Sequence, residues 1–105
     1  MPLKTLPWDA AEHLDSPEMI AAYLDAALDE GDPKLVAAAI GDVARAHGMS
    51  QLARETGLSR ESLYRSLSAD GNPEFATILK VLHAFGLRLE TRPLWPAEPE
   101  TESAV

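Results

Sequence analysis

Apolar side chains recur at helical spacing along most of this chain, and turn signals cut the pattern into five pieces. Ile20, Leu24, Ala27 and Leu28 share one face of a first helix, capped by Ser16, opened by Pro17 and ended by Gly31. Asp32 and Pro33 cap and open a second helix, whose stripe is Val36, Ile40, Val43 and His47, and Gly48 stops it. Ser50 opens a short third helix that runs to about Thr56, and Gly57 breaks it. Ser59 caps a fourth that ends near Ser68. After the loop "SADGNP", Asn72 and Pro73 start a fifth, which turns Phe75, Ile78, Leu79 and Leu82 inward and stops at Gly86.

Beyond Gly86 the period becomes two. Leu87, Leu89 and Thr91 alternate with Arg88, Glu90 and Arg92, which predicts a short half-buried strand in need of a partner. The chain therefore divides into an N-terminal arm (residues 1–15), a helical domain with its C-terminal strand (16–92) and a flexible acidic tail (93–105). The expected fold class is all-α, with five helices around one core and a strand available for dimerisation. A chain of 105 residues has room for one such core.

The third and fourth helices form the most informative stretch, "MSQLARETGLSRESLYRSL". Two short helices joined by a tight turn make a helix-turn-helix unit. Ala53 lets the second helix cross closely, Gly57 permits a left-handed turn, and Leu52, Leu58, Leu63 and Leu67 anchor both helices. Arg60, Glu61, Tyr64 and Arg65 remain outward on the second helix. Its N-terminal turn is where such helices reach base edges in the major groove of double-stranded DNA, so Arg60 and Glu61 are the first-choice readers. Ser50, Gln51 and Ser59 lie at helix starts, where backbone N–H groups and short polar side chains suit phosphate. A second reading stays open: Arg60 and Arg65 are solvated, and Glu61 pairs with Arg65 at the i, i+4 spacing.

Charge sharpens this picture, because the net charge of −8 is unevenly spread. Residues 1–48 hold three Lys/Arg against nine Asp/Glu, residues 49–92 six against five, and residues 93–105 none against three. Only the stretch with the two short helices escapes the acidity, which allows one DNA-binding face and excludes general affinity for nucleic acid. The acidic N-terminal half implies a second, basic partner. There is no cysteine, so disulfides and thiolate metal sites are excluded and a cytoplasmic setting is expected. The longest apolar run, Leu35 to Ile40, is far too short to span a bilayer. His13, His47 and His83 are scattered, and Asp9, Glu12 and His13 lack further ligands, so no enzyme activity, metal or cofactor is expected.

The run "DPKLVAAAIGDVARAHGMSQLARETGLSRESLYRSLSADGNPEFATILKVLHAFGLRL", extended upstream through "AAYLDAALDEGD", resembles the addiction-module antidote proteins over roughly residues 9 to 90. These are small antitoxins of type II toxin–antitoxin pairs with a phage repressor/Cro-type domain. The resemblance implies a RelE/ParE-like toxin as partner, repression of the pair's own operator, and a DNA-facing role for Ser59, Arg60, Glu61, Tyr64 and Arg65. Toxins of that type are basic, and carboxylates speed encounter with a cationic surface. Asp9, Glu12, Asp15, Glu18, Asp25 and Asp29 are then the toxin-facing candidates, with Trp8 as an anchor. The alternative is that these carboxylates solvate an exposed helix face.

Residues Leu87, Arg88, Leu89, Glu90 and Thr91 are the expected homodimer interface. An antiparallel pair centred on Leu89 sets Arg88 against Glu90 of a second copy, whereas centring on Glu90 would oppose Arg88 and Arg92, two like charges. Two rival functions use the same residues: a stand-alone transcriptional repressor without a toxin, and a protein-binding helical module that never touches DNA.

Overall fold

The computed structural model describes residues 14–95, and these are all-helical. Five helices follow in order: α1 (Pro17–Glu30), α2 (Pro33–His47), α3 (Met49–Thr56), α4 (Arg60–Ser66) and α5 (Phe75–Ala84). Their boundaries follow from local chemistry. The Ser16 hydroxyl accepts the Met19 N–H at 3.2 Å, and Asp32 accepts the Lys34 N–H at 3.0 Å. Each cap satisfies one N–H that has no partner inside its helix, and each is followed by a proline, which has no N–H to satisfy. Among the described residues no helix is long and apolar enough to cross a membrane.

α1 and α2 form a hairpin, and α3 packs against α2, α4 and α5. Val43, Leu52, Leu63, Leu67 and Val81 are wholly buried where these helices meet. Burying such a side chain contributes about 1.5–3 kcal/mol. The fit depends on Gly41 of α2: a Cβ at this position would overlap the carbonyl oxygen of Leu67, so only glycine lets α2 reach the backbone beyond α4. No described side-chain polar atom is buried without a partner. The core is apolar and its polar groups sit at its margin, as in Tyr23, whose hydroxyl donates to Asp42 at 2.7 Å.

Several boundaries differ from the sequence reading. α3 starts at Met49, not Ser50, because the Met49 side chain enters the core and carries the helix start with it. α4 ends at Ser66, since Leu67 leaves helical geometry (φ −96°, ψ 61°) while staying buried. α5 begins at Phe75 after an extended Glu74, so Asn72 and Pro73 belong to the loop. Its inward face is Ile78, Val81, Leu82 and, just past its end, Phe85. Phe75 and Leu79, expected inside, are 63% and 43% exposed, and Leu28 of α1 is 48% exposed. A later start leaves Phe75 in the first turn, at the rim of the core.

The strand expected over residues 87–92 does not form within the single chain, where no other described segment offers it a ladder. Its alternation nevertheless has a trace. Glu90 holds Arg92 at 3.0 Å and Arg88 at 3.7 Å, so three polar residues two apart share a side, while Leu87 packs against the core.

Candidate nucleic-acid interface

The two short helices are set by what they bury. Leu52 of α3, Leu63 of α4 and Leu67 are wholly buried, and Ala53 and Leu58 are half-buried against the same core. Gly57 turns the chain with φ at +78°, the left-handed region that costs a side chain about 1 kcal/mol, and its N–H donates to the Ala53 carbonyl at 2.9 Å. Thr56, which sequence reasoning missed, ties both sides of this turn. Its hydroxyl donates to the Leu52 carbonyl at 2.8 Å and accepts the Leu58 N–H at 3.3 Å. A threonine immediately before the turn glycine was the available signal. Ser59 then caps α4 by accepting the Ser62 N–H at 3.0 Å.

With the leucines fixed inward, the outer face of α4 presents Arg60, Glu61, Tyr64 and Arg65, all exposed. They form one patch together with Ser59 at its start. The Arg60 guanidinium lies 5.6 Å from the centre of the Tyr64 ring, a cation–π contact worth about 0.5–1 kcal/mol at an exposed site. That contact restricts the arginine without using up its donors. The Glu61–Arg65 ion pair that the spacing permits is not formed among the described residues, so both side chains remain available.

Ser50 and Gln51 are exposed in the first turn of α3. Gln51 is already engaged: its amide donates to Glu55 at 2.9 Å, and Glu55 also meets the His47 Nε2 at 2.8 Å. The hydrogen bond from Gln51, followed by that from His47, holds the Glu55 carboxyl below its ordinary range. His47 further packs its ring against Phe85, at 5.5 Å between centroids. This clasp between α2 and α3 was illegible in the sequence, because residues eight apart on different helices follow no period.

Asp15, Glu18, Asp25 and Asp29 are exposed, whereas Trp8, Asp9 and Glu12 lie outside the described residues. Glu18 sits in the first turn of α1, where a carboxylate favours the helix dipole. Asp25 and Asp29 share an open groove with Arg88, Glu90 and Arg92. Of the expected dimer residues, Leu87 is half-buried, and Arg88, Leu89, Glu90 and Thr91 are exposed beside that groove.

The described residues thus form an all-α domain in which the two short helices α3 and α4 bury one side in the core and turn the other to solvent. Comparison with known families matches residues 4–93 to the family described as "Probable addiction module antidote protein". The chain belongs to this family. It is also 49% identical over 85 residues to an uncharacterized protein of Haemophilus influenzae (strain Rd), covering 81% of this chain and 88% of that one. No solved structure shows significant similarity to it.

Proposed function

We propose that this protein is the antitoxin of a type II toxin–antitoxin pair. In this reading it neutralises a basic, RelE/ParE-like toxin in the cytoplasm and, as a homodimer, represses its own operon through the helix-turn-helix formed by α3 and α4. Beyond family membership, the observation that carries the DNA half is the outer face of α4. Arg60, Glu61, Tyr64 and Arg65 are exposed together on a helix whose opposite side is locked into the core. Arg60 offers bidentate donors to guanine and Glu61 accepts from cytosine N4, while Ser50, Gln51 and Ser59 face the phosphates.

The toxin half rests on the charge asymmetry: nine of the seventeen acidic residues fall within residues 1–48. The toxin-facing set is Asp15, Glu18, Asp25 and Asp29, with Trp8, Asp9 and Glu12 of the arm. Two copies would join through Leu87–Thr91, centred on Leu89. Arg88 meets Glu90 of its own chain at 3.7 Å, beyond hydrogen-bonding distance, and so keeps its donors for Glu90 of a second copy.

Binding to the DNA upstream of its own gene, titrated at several salt concentrations, tests the reading. Affinity should fall steeply with salt, and Arg60→Ala should lose about tenfold or more in specific binding. Unchanged binding by that variant would remove Arg60 from the interface. Co-expression with the neighbouring reading frame should give a stable complex with a small basic protein. DNA binding without such a complex would make the protein a stand-alone repressor. Leu89→Pro should abolish dimerisation in sedimentation.

A further inference from the structure

Three side chains at the join of α2 and α3 form a chain of contacts that begins at the core and ends in solvent. The His47 ring lies against the buried Phe85, with 5.5 Å between centroids. Its Nε2 meets one oxygen of Glu55 at 2.8 Å, and the other oxygen accepts an N–H from the Gln51 amide at 2.9 Å. An ionised carboxylate only accepts, so the His47 Nε2 carries the proton of that contact. Stability is a poor account of the arrangement. The His47 and Glu55 side chains are 20% and 36% exposed, an ion pair so placed adds little, and the buried Met49 and Leu52 already fix α3 to the core. What the contacts do fix is the Gln51 side chain, exposed in the first turn of α3.

We infer that His47 and Glu55 are positioning residues for DNA, which hold the Gln51 amide ready for a phosphate oxygen before the duplex arrives. This rests on the DNA-binding reading above, in which Gln51 faces the phosphates. A glutamine amide has two N–H donors. Glu55 takes one, and the other has no partner among the described residues, so a phosphate can be bound without opening the clasp. A glutamine free on a helix surface samples several rotamers, and immobilising it on binding weakens affinity by about two- to tenfold. A side chain held beforehand avoids that loss. Glu55 carries the same sign of charge as a phosphate, but its two oxygens are occupied by His47 and Gln51. Arg54 beside it is exposed and in no ion pair among the described residues, and offsets its field. Arg60 of α4 is restrained in a comparable way by the Tyr64 ring, so each short helix presents one donor that is already restricted.

The test is a set of double-mutant cycles read on the duplex upstream of the protein's own gene. His47→Ala and Glu55→Ala should each be coupled to Gln51→Ala by about two- to tenfold in Kd: the loss from freeing Gln51 appears when the glutamine is present and vanishes when it is absent. The gain from removing the Glu55 charge is common to both backgrounds and cancels in that comparison. His47→Gln, whose amide can supply an N–H in place of Nε2, should restore the coupling that His47→Ala removes. Phosphate ethylation interference adds a positional readout. One phosphate should cease to interfere in Gln51→Ala, and interference at that same phosphate should weaken in His47→Ala and Glu55→Ala. Should His47→Ala fail to fold by circular dichroism, the exposed Glu55→Ala and the His47→Gln variant carry the comparison. Specific binding with no coupling between these positions, or a His47→Ala footprint weakened evenly over the whole site, would make the clasp a structural tie and overturn the inference alone. Failure of the wild-type protein to bind the duplex would overturn both the DNA-binding reading and the inference.

Discussion

The α3–α4 pair and the face made by α1 with residues 87–95 are finished to different degrees. In the first, Leu52, Leu63 and Leu67 are wholly buried and the exterior is polar, so a single chain completes the structure. In the second, Leu28 and Leu89 are 48% and 41% exposed beside a groove that reaches the core, and Leu94 and Trp95, further along the chain, are 88% and 69% exposed. A surface that reads a polar polymer can be stable alone, because its working groups want water until the ligand arrives. An apolar face left open loses that stabilisation until something covers it. The contrast separates a face that one chain completes from a face whose apolar side chains stay exposed among the described residues.

Leu63→Ala should test the finished side most severely. It empties a wholly buried site and should cost about 2–5 kcal/mol in denaturant unfolding, with DNA binding lost in parallel. Gly41→Ala comes next. Its methyl group would overlap the Leu67 carbonyl, so α2 and the end of α4 must part, at about 1–3 kcal/mol by the same measurement. By contrast, Leu89→Ala in the monomer at high dilution should change stability by under about 0.5 kcal/mol, because the side chain is already exposed there.

Two smaller effects concern pH. Burial first, and then the hydrogen bond to Asp42, raises the Tyr23 pKa above its ordinary value. Its contribution is therefore complete below about pH 10, the value for an unfolded tyrosine, and is lost as the pH rises above it. Tyr23→Phe should cost about 0.5–1.5 kcal/mol at neutral pH and flatten the alkaline fall in Tm. Glu55 behaves in the opposite sense. Its folded pKa is lowered, so its contribution is present above the unfolded carboxylate value of about 4.3 and is lost as the pH falls through the folded one. Glu55→Gln should make the acid limb of the Tm profile shallower.

Helix count, the caps at Ser16, Asp32 and Ser59, and the left-handed turn at Gly57 were legible, because each is a local preference written in neighbouring residues. The orientation of α5 was not. Phe75, Ile78, Leu79 and Leu82 and the true face of Ile78, Val81, Leu82 and Phe85 both fit a period of 3.6, and only packing against α3 chooses between them. The exposure of Arg60, Glu61, Tyr64 and Arg65 was readable because the leucines of α4 leave a single outward side. The clasp of His47, Gln51 and Glu55 was hidden, since it joins two helices whose relative placement no local pattern specifies. The acidic residues illustrate a further limit: their count was visible, yet not that Asp25 and Asp29 would share a groove with two arginines.

The stacking of Arg60 on Tyr64 ties together two exposed positions that would otherwise be free to vary independently. A change at residue 64 releases the arginine and, if α4 reads DNA as proposed, alters what position 60 recognises, even though the arginine itself is untouched. Divergence to a new operator would then proceed by paired substitutions, with single changes at either site passing through a protein of blunted selectivity. In a cell that carries several related modules, such coupling would slow the drift of one antitoxin onto another's promoter.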